Sequence, residues 1–147
     1  MFKKTLVILT LIPLMFLTGC ATVPMASDLE DRAKKEFTPP PSEVAGLYIY
    51  RNSHFGSALK KTLSIDGEII GESAPMTYFY RELVPGKHTL STESEFSENI
   101  VTLDVLGGKN YYMEHFIKFG VFVGGANFTF VTEEVGKKGV RECKLAK

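Results

Sequence analysis

The sequence predicts an all-β fold, an antiparallel β-sandwich of seven or eight short strands preceded by one short helix. From Gly46 onward, short runs rich in Ile, Val, Thr, Tyr and Phe are punctuated by Gly and Pro about every ten residues. Several runs alternate apolar with polar residues, the period of a strand with one buried face. The 147 residues are 44% hydrophobic and 23% charged, and their 11 Phe and 6 Tyr, without Trp, supply one substantial core but hardly two. A small closed barrel is the competing architecture.

The start of the chain has the form of an export signal. Lys3 and Lys4 make a positive n-region, and residues 5–16 are twelve uncharged residues interrupted only by Pro13. A membrane-spanning helix needs about 20 apolar residues, so this run is short for an anchor. It ends in Leu17-Thr18-Gly19-Cys20. Small residues at 18 and 19 fit a narrow peptidase cleft, and the Cys after them resembles the lipobox of bacterial lipoproteins.

That resemblance implies cleavage before Cys20, diacylglycerol on its thiol and, in Gram-negative bacteria, an acylated new amino terminus. Two or three acyl chains at about 0.8 kcal/mol per buried CH₂ make attachment stable, where one chain is marginal. Residues 1–19 are therefore expected to be a lipoprotein signal peptide and 20–27 a lipidated tether. In Gram-negative sorting an Asp directly after the lipidated Cys favours the inner membrane. Ala21 stands there, so the expected residence is the outer membrane, facing the periplasm. Loss of Lys3 and Lys4 leaves 15 basic against 17 acidic side chains, and no basic field speaks for nucleic acid or anionic lipid.

Residues 28–41 read as a short helix and a Pro-rich linker. Ser27 with Glu30 three residues on is a capping box. Leu29, Ala33 and Phe37 fall at i, i+4 and i+8, predicting an amphipathic helix over 28–37 with Glu30, Asp31, Arg32, Lys34 and Lys35 on the wet face. Pro39, Pro40 and Pro41 then force an extended segment.

The sandwich domain spans 42–147. Strands are predicted at 47–51, 59–65, 68–71, 77–83, 87–93, 99–106, 110–119 and 128–133, with Asp66-Gly67 a strong hairpin turn. In the tail, Gly136 and Gly139 weaken a helix, and a last strand over 140–145 competes with it. Cys143 has no intramolecular partner if Cys20 is lipidated, and is expected to be a small buried apolar residue.

Several patterns in order carry a likeness: Ala33-Lys34-Lys35-Glu36-Phe37 before the prolines, Leu47-Tyr48-Ile49-Tyr50-Arg51, Ser64-Ile65-Asp66-Gly67-Glu68, Val84-Pro85-Gly86-Lys87-His88-Thr89-Leu90 and Gly108-Lys109-Asn110-Tyr111-Tyr112. Together they resemble the bacterial domain of unknown function 2846 family, and the turn followed by Val-Pro-Gly-Lys-His-Thr-Leu is similar to PEGA-type envelope modules. The resemblance implies an immunoglobulin-like sandwich, often lipid-anchored, with no established reaction and no family site residues.

The motifs of common enzymes are missing from the sequence: a glycine-rich phosphate loop, a nucleophile elbow, His-Glu-x-x-His and Cys-x-x-Cys. No catalytic residue and no cofactor are expected. His54, His88 and His115, with Glu93, Glu95 and Glu114 in their neighbourhoods, would need to converge to hold a metal, and no metal site is expected. Arg51, ahead of the polar loop Asn52-Ser53-His54-Phe55-Gly56-Ser57, is a candidate ligand-binding residue that could clamp a carboxylate or glycan acid. Its ordinary alternative is an ion pair with a Glu on a neighbouring strand. A carbohydrate-binding module would instead set Tyr48, Tyr50, Tyr78, Tyr80, Tyr111 or Tyr112 on one exposed face as a stacking platform.

Residues 119–130 are the least polar stretch of the mature chain and also its richest in glycine. The usual place of aromatics favours a hairpin whose Phe122 and Val123 fill the end of the sandwich. The other reading is an exposed apolar loop, with Phe119, Val121, Phe122 and Val123 as candidate partner-binding residues. The function expected is a membrane-anchored envelope module that binds or braces an unidentified component, the membrane being met through the Cys20 lipid. An envelope protein or peptidoglycan is the further partner considered, and an envelope hydrolase the alternative.

Overall fold

A computed structural model describes residues 21–147. The signal peptide and Cys20, with its expected lipidation, lie outside the described residues. In chain order the elements are α1 (Asp28–Lys34), β1 (Ala45–Arg51), β2 (Lys61–Ile65), β3 (Glu68–Ser73), β4 (Thr77–Leu83), β5 (Gly86–Glu93), β6 (Glu98–Val105), β7 (Asn110–Lys118), β8 (Gly125–Phe130), α2 (Glu133–Glu142) and β9 (Lys144–Leu145). A five-stranded sheet in the order β8-β7-β1-β4-β9 faces a four-stranded sheet in the order β3-β2-β5-β6. The sandwich is thus as expected, while two pairings, β1 with β7 and β4 with β9, are parallel. The Asp66-Gly67 turn forms with both residues at positive φ.

Alternation along β1 explains the layering, because all seven of its residues are buried. Leu47 and Ile49 point between the sheets and pack with Leu63, Phe79, Leu90 and Met113. Tyr48 and Tyr50 point the other way, onto the outer face, where Phe37, Tyr78, Tyr112 and Val140 join them. A strand buried on both faces needs a third layer, and the helices provide it.

The glycines of α2 permit that layer. A Cβ at Gly136 would stand 2.2 Å from Tyr112 Cβ, and one at Gly139 would stand 2.1 Å from Tyr50 Cε2. Two glycines spaced i, i+3 let the helix backbone lie directly on tyrosine rings, so the residues that lower its intrinsic propensity are those that let it dock. The tail accordingly holds both a helix and a short strand.

In α1 the capping box forms as expected, with the Glu30 N–H donating to Ser27 Oγ at 3.2 Å and the Ser27 N–H to Glu30 Oε2 at 2.8 Å. The apolar stripe does not hold. Leu29 is 73% exposed, Ala33 is exposed and Asp31 is buried. The helix ends at Lys34, and Phe37 reaches the outer-face cluster only through a left-handed backbone, φ 56°. Polar bonds seat the helix instead. Asp31 Oδ1 accepts the Leu145 N–H at 3.0 Å, and Lys35 Nζ donates to Asp31 at 3.0 Å and to the Cys143 carbonyl at 2.5 Å.

Candidate functional site

Three loops gather at the end of the sandwich where β1 finishes: residues 52–60, the β5–β6 turn at 94–97, and the β7–β8 connection at 119–124. Their apolar side chains stand in solvent. Phe119 is 87% exposed, Phe122 83%, Val121 and Phe96 77%, Val123 55% and Phe55 45%. The end-filling hairpin is therefore corrected, because Ile117 and Phe128 already occupy the buried places and the chain leaves the sheet at Lys118 to return at Gly125. β8 begins at Gly125 rather than at residue 128 for the same reason.

Two charged residues hold these loops. Glu95 accepts the backbone N–H groups of Val121 at 2.6 Å, Val123 at 3.1 Å and Phe122. Desolvation works against the Glu95 carboxylate, but the three amides hold its pKa below the usual range. Arg51 does the converse for the other loop, donating to the carbonyls of Leu59 at 2.8 Å, Phe55 at 3.0 Å and Gly56 at 2.8 Å. Phe55 and Phe119 then join the loops edge to face, centroids 4.9 Å apart. A Cβ at Gly120 would lie 1.6 Å from the Val123 carbonyl oxygen, which ties the tight return to glycine. Between the loops runs a shallow apolar groove of about 230 Å³.

Arg51 is thereby corrected as a ligand-binding residue. It is 1% exposed and both of its terminal guanidinium nitrogens are committed to carbonyls, Nε alone being without a partner, so neither a ligand carboxylate nor a strand Glu meets it. The carbohydrate platform is corrected too. Tyr48, Tyr50, Tyr78 and Tyr112 lie buried beneath the helices, and burial pushes their hydroxyls above the ordinary tyrosine range. Tyr80 and Tyr111 are half-buried and do not complete a face.

The histidines are kept apart from one another. His54 is exposed in its loop. His88 fastens the far end, its Nδ1 lying 2.6 Å from Asp66 Oδ2 and its Nε2 2.8 Å from the Val84 carbonyl. Burial opposes charge on that ring, but these two acceptors outweigh it and raise its pKa above the ordinary histidine value. His115 lies between the sheets, Nδ1 2.8 Å from Ser73 Oγ and Nε2 3.0 Å from Thr92 Oγ1. Burial, with Arg51 and Lys61 nearby, pushes its pKa down to about 3. Ser73 is 2% exposed and His115 1%, so this Ser–His contact is a satisfied pair of core groups with no cleft above it. Among the described residues no three His, Cys, Asp or Glu side chains group as metal ligands.

A larger surface depression, about 380 Å³, is lined by Asp66, Glu68, Arg81 and Glu82. Arg81 spends its guanidinium on the carbonyls of Tyr80 and Ile70, so no free cation faces that space from it. Cys143 is buried, and burial pushes its thiol up to about 12, far from reactivity. Sequence reasoning missed Phe55, Phe96 and Glu95 as parts of the apolar end. Their signal was lone aromatics inside otherwise polar turns, Ser-His-Phe-Gly-Ser and Ser-Glu-Phe-Ser-Glu.

The family model described as protein of unknown function (DUF2846) matches residues 41–126. That span includes all three loops of the apolar end and stops before α2. An uncharacterized protein of Haemophilus influenzae (strain ATCC 51907 / DSM 11121 / KW20 / Rd) is 50% identical over 132 residues, 90% of this chain and 79% of its own length. No solved structure matches the chain.

Proposed function

The chain belongs to the DUF2846 family, and from that premise we propose that it is a non-catalytic module of the bacterial cell envelope, tethered by lipid on Cys20 to the outer membrane and facing the periplasm. There it binds or braces another envelope component. The observation that carries this reading is the lipobox joined to a tether with no slack. The Ala21 N–H donates to the Ser57 carbonyl at 2.9 Å, the Ala26 N–H donates to the Leu145 carbonyl at 2.9 Å, and Met25 bridges Ala146. A tether bonded to the domain along its length suits a protein that works at the membrane surface rather than at the end of a stalk.

A hydrolase draws no support from the sealed Ser73–His115 pair, nor does a glycan platform from the buried tyrosines. The test is the mass of the protein purified from its membranes. The expected result is a chain beginning at residue 20 that carries diacylglycerol and an amide-linked acyl group. A free thiol, or another first residue, overturns the reading. Fractionation tests the destination: the wild type should follow the outer membrane and Ala21→Asp should shift toward the inner.

A further inference from the structure

The apolar end and the tether meet at the same place. Ser57, whose carbonyl receives the Ala21 N–H, belongs to the loop that carries Phe55, and Phe55 packs on Phe119 of the neighbouring loop. Ala21 is the residue that follows the lipobox cysteine. A lipid attached one peptide bond before Ala21 therefore leaves the domain beside the exposed phenylalanines.

We propose that this end is a membrane-docking face, with Phe55, Phe96, Phe119, Val121 and Phe122 entering the boundary between headgroups and acyl chains of the bilayer that holds the anchor. The proposal rests on lipidation at Cys20 and adds to it a fixed orientation of the domain.

Three further features fit a lipid surface. First, the exposed rings at this end are all phenylalanines, while Tyr48, Tyr50, Tyr78 and Tyr112 are sealed under the helices. Phe is among the residues that interfacial segments turn into the boundary between headgroups and acyl chains. Second, the backbone N–H groups of the loop tip are already satisfied by Glu95, and carbonyls of the companion loop by Arg51. Polar backbone groups are costly in a low-dielectric layer unless bonded internally. Third, the other exposed large apolar residues, such as Leu29, Ile69, Val84 and Leu106, do not share this gathering of loops. The binding is expected to come from apolar burial rather than from a basic field, in keeping with the near-balanced charge.

Because the chain has no Trp, one tryptophan reports one site. The experiment uses the full chain, processed in cells, purified and reconstituted into phosphatidylethanolamine–phosphatidylglycerol vesicles, in which part of the acyl chains is brominated. Phe122→Trp is compared with Val84→Trp. Val84 follows Leu83, which pairs with Ala45 at the opposite end of β1 from Arg51. The expected result is blue-shifted emission and strong bromolipid quenching for Phe122→Trp, with red emission and little quenching for Val84→Trp. Vesicle-bound, acylated protein whose two tryptophans are equally unquenched overturns docking while leaving the anchor intact. A blue shift without bromolipid quenching places a protein surface, a second copy included, over the loops and also overturns it. Unacylated protein that nevertheless shows Phe122→Trp quenching sustains docking and overturns the anchor; unacylated protein without quenching overturns both.

Discussion

On the outer face of the five-stranded sheet, Phe37, Tyr48, Tyr50, Tyr78 and Tyr112 are packed under two helices, while at the loop end Phe55, Phe96, Phe119 and Phe122 stand in solvent. Both regions combine aromatics with glycine, and the difference lies in what the glycine serves. In α2 it removes the side chain that would hold a helix off the sheet, whereas at Gly120 it lets a loop fold back on its own carbonyl. Two of the sealed rings also find polar partners: Tyr48 Oη donates to the Lys34 carbonyl at 2.8 Å and Tyr78 Oη to the Asp31 carbonyl at 3.3 Å, while the Tyr112 hydroxyl is buried without one. Composition alone does not separate a cluster that is covered from one left bare; the element carrying the glycines does.

The sharpest way to break the contrast is to lift the cover. Gly139→Val places a branched side chain where even a Cβ would lie 2.1 Å from the Tyr50 ring. It is expected to cost about 3 kcal/mol or more, read as a lower midpoint in thermal or denaturant unfolding. An unchanged midpoint would mean that α2 does not seal the sheet.

Next in size is the pH response of the interior. An unfolded histidine takes its proton near its ordinary value of about 6.5, while His115 in the folded chain does so near 3. Between those values the unfolded state holds the extra proton, so stability rises with pH there and falls as acid is added. The expected slope from this ring is roughly 1.4 kcal/mol per pH unit. Denaturant unfolding at pH 6, 5 and 4 should show it, and His115→Gln should flatten that part of the profile. Equal slopes in the two proteins would place His115 outside the sealed core.

Substitutions at the helix cap and at the loop tip are expected to have smaller effects. Ser27→Ala removes the cap of α1 and should cost about 1 kcal/mol, since that helix rests on the tyrosines through Tyr48 and Tyr78. Phe122→Ser should move unfolding by no more than about 0.5 kcal/mol, because an exposed ring contributes little to the folded state. A loss of several kcal/mol, the scale of a buried Phe, would place it in the core.

Much of this fold could be read from local pattern. Strand periodicity, the Asp66-Gly67 turn and the Ser27–Glu30 box are decided within a few residues of chain; the turn and the box are found where the sequence puts them, and the strands within a few residues of it. Burial of both faces of β1 was not readable, because its cover comes from a helix some ninety residues later whose glycines argue locally against helix. The fate of Arg51 escaped for a similar reason: its partners are carbonyls, which every residue carries. Leu29 misled because an i, i+4 stripe matters only if the helix continues, and this one stops at Lys34. The 119–124 loop was visible as an apolar, glycine-rich anomaly, but its exposure depended on whether Ile117 and Phe128 had already filled the core.

Docking as proposed covers the open end in place and leaves the far end in water. Cysteine accessibility in membranes tests it directly, since Cys143 is buried and its thiol suppressed. Phe122→Cys and Leu106→Cys replace residues that are 83% and 60% exposed in the domain, and each is treated in isolated, opened membranes with a water-soluble maleimide. The expected result is rapid modification at 106 and modification several-fold slower at 122. Equal rates, or faster reaction at 122, would contradict docking of this end.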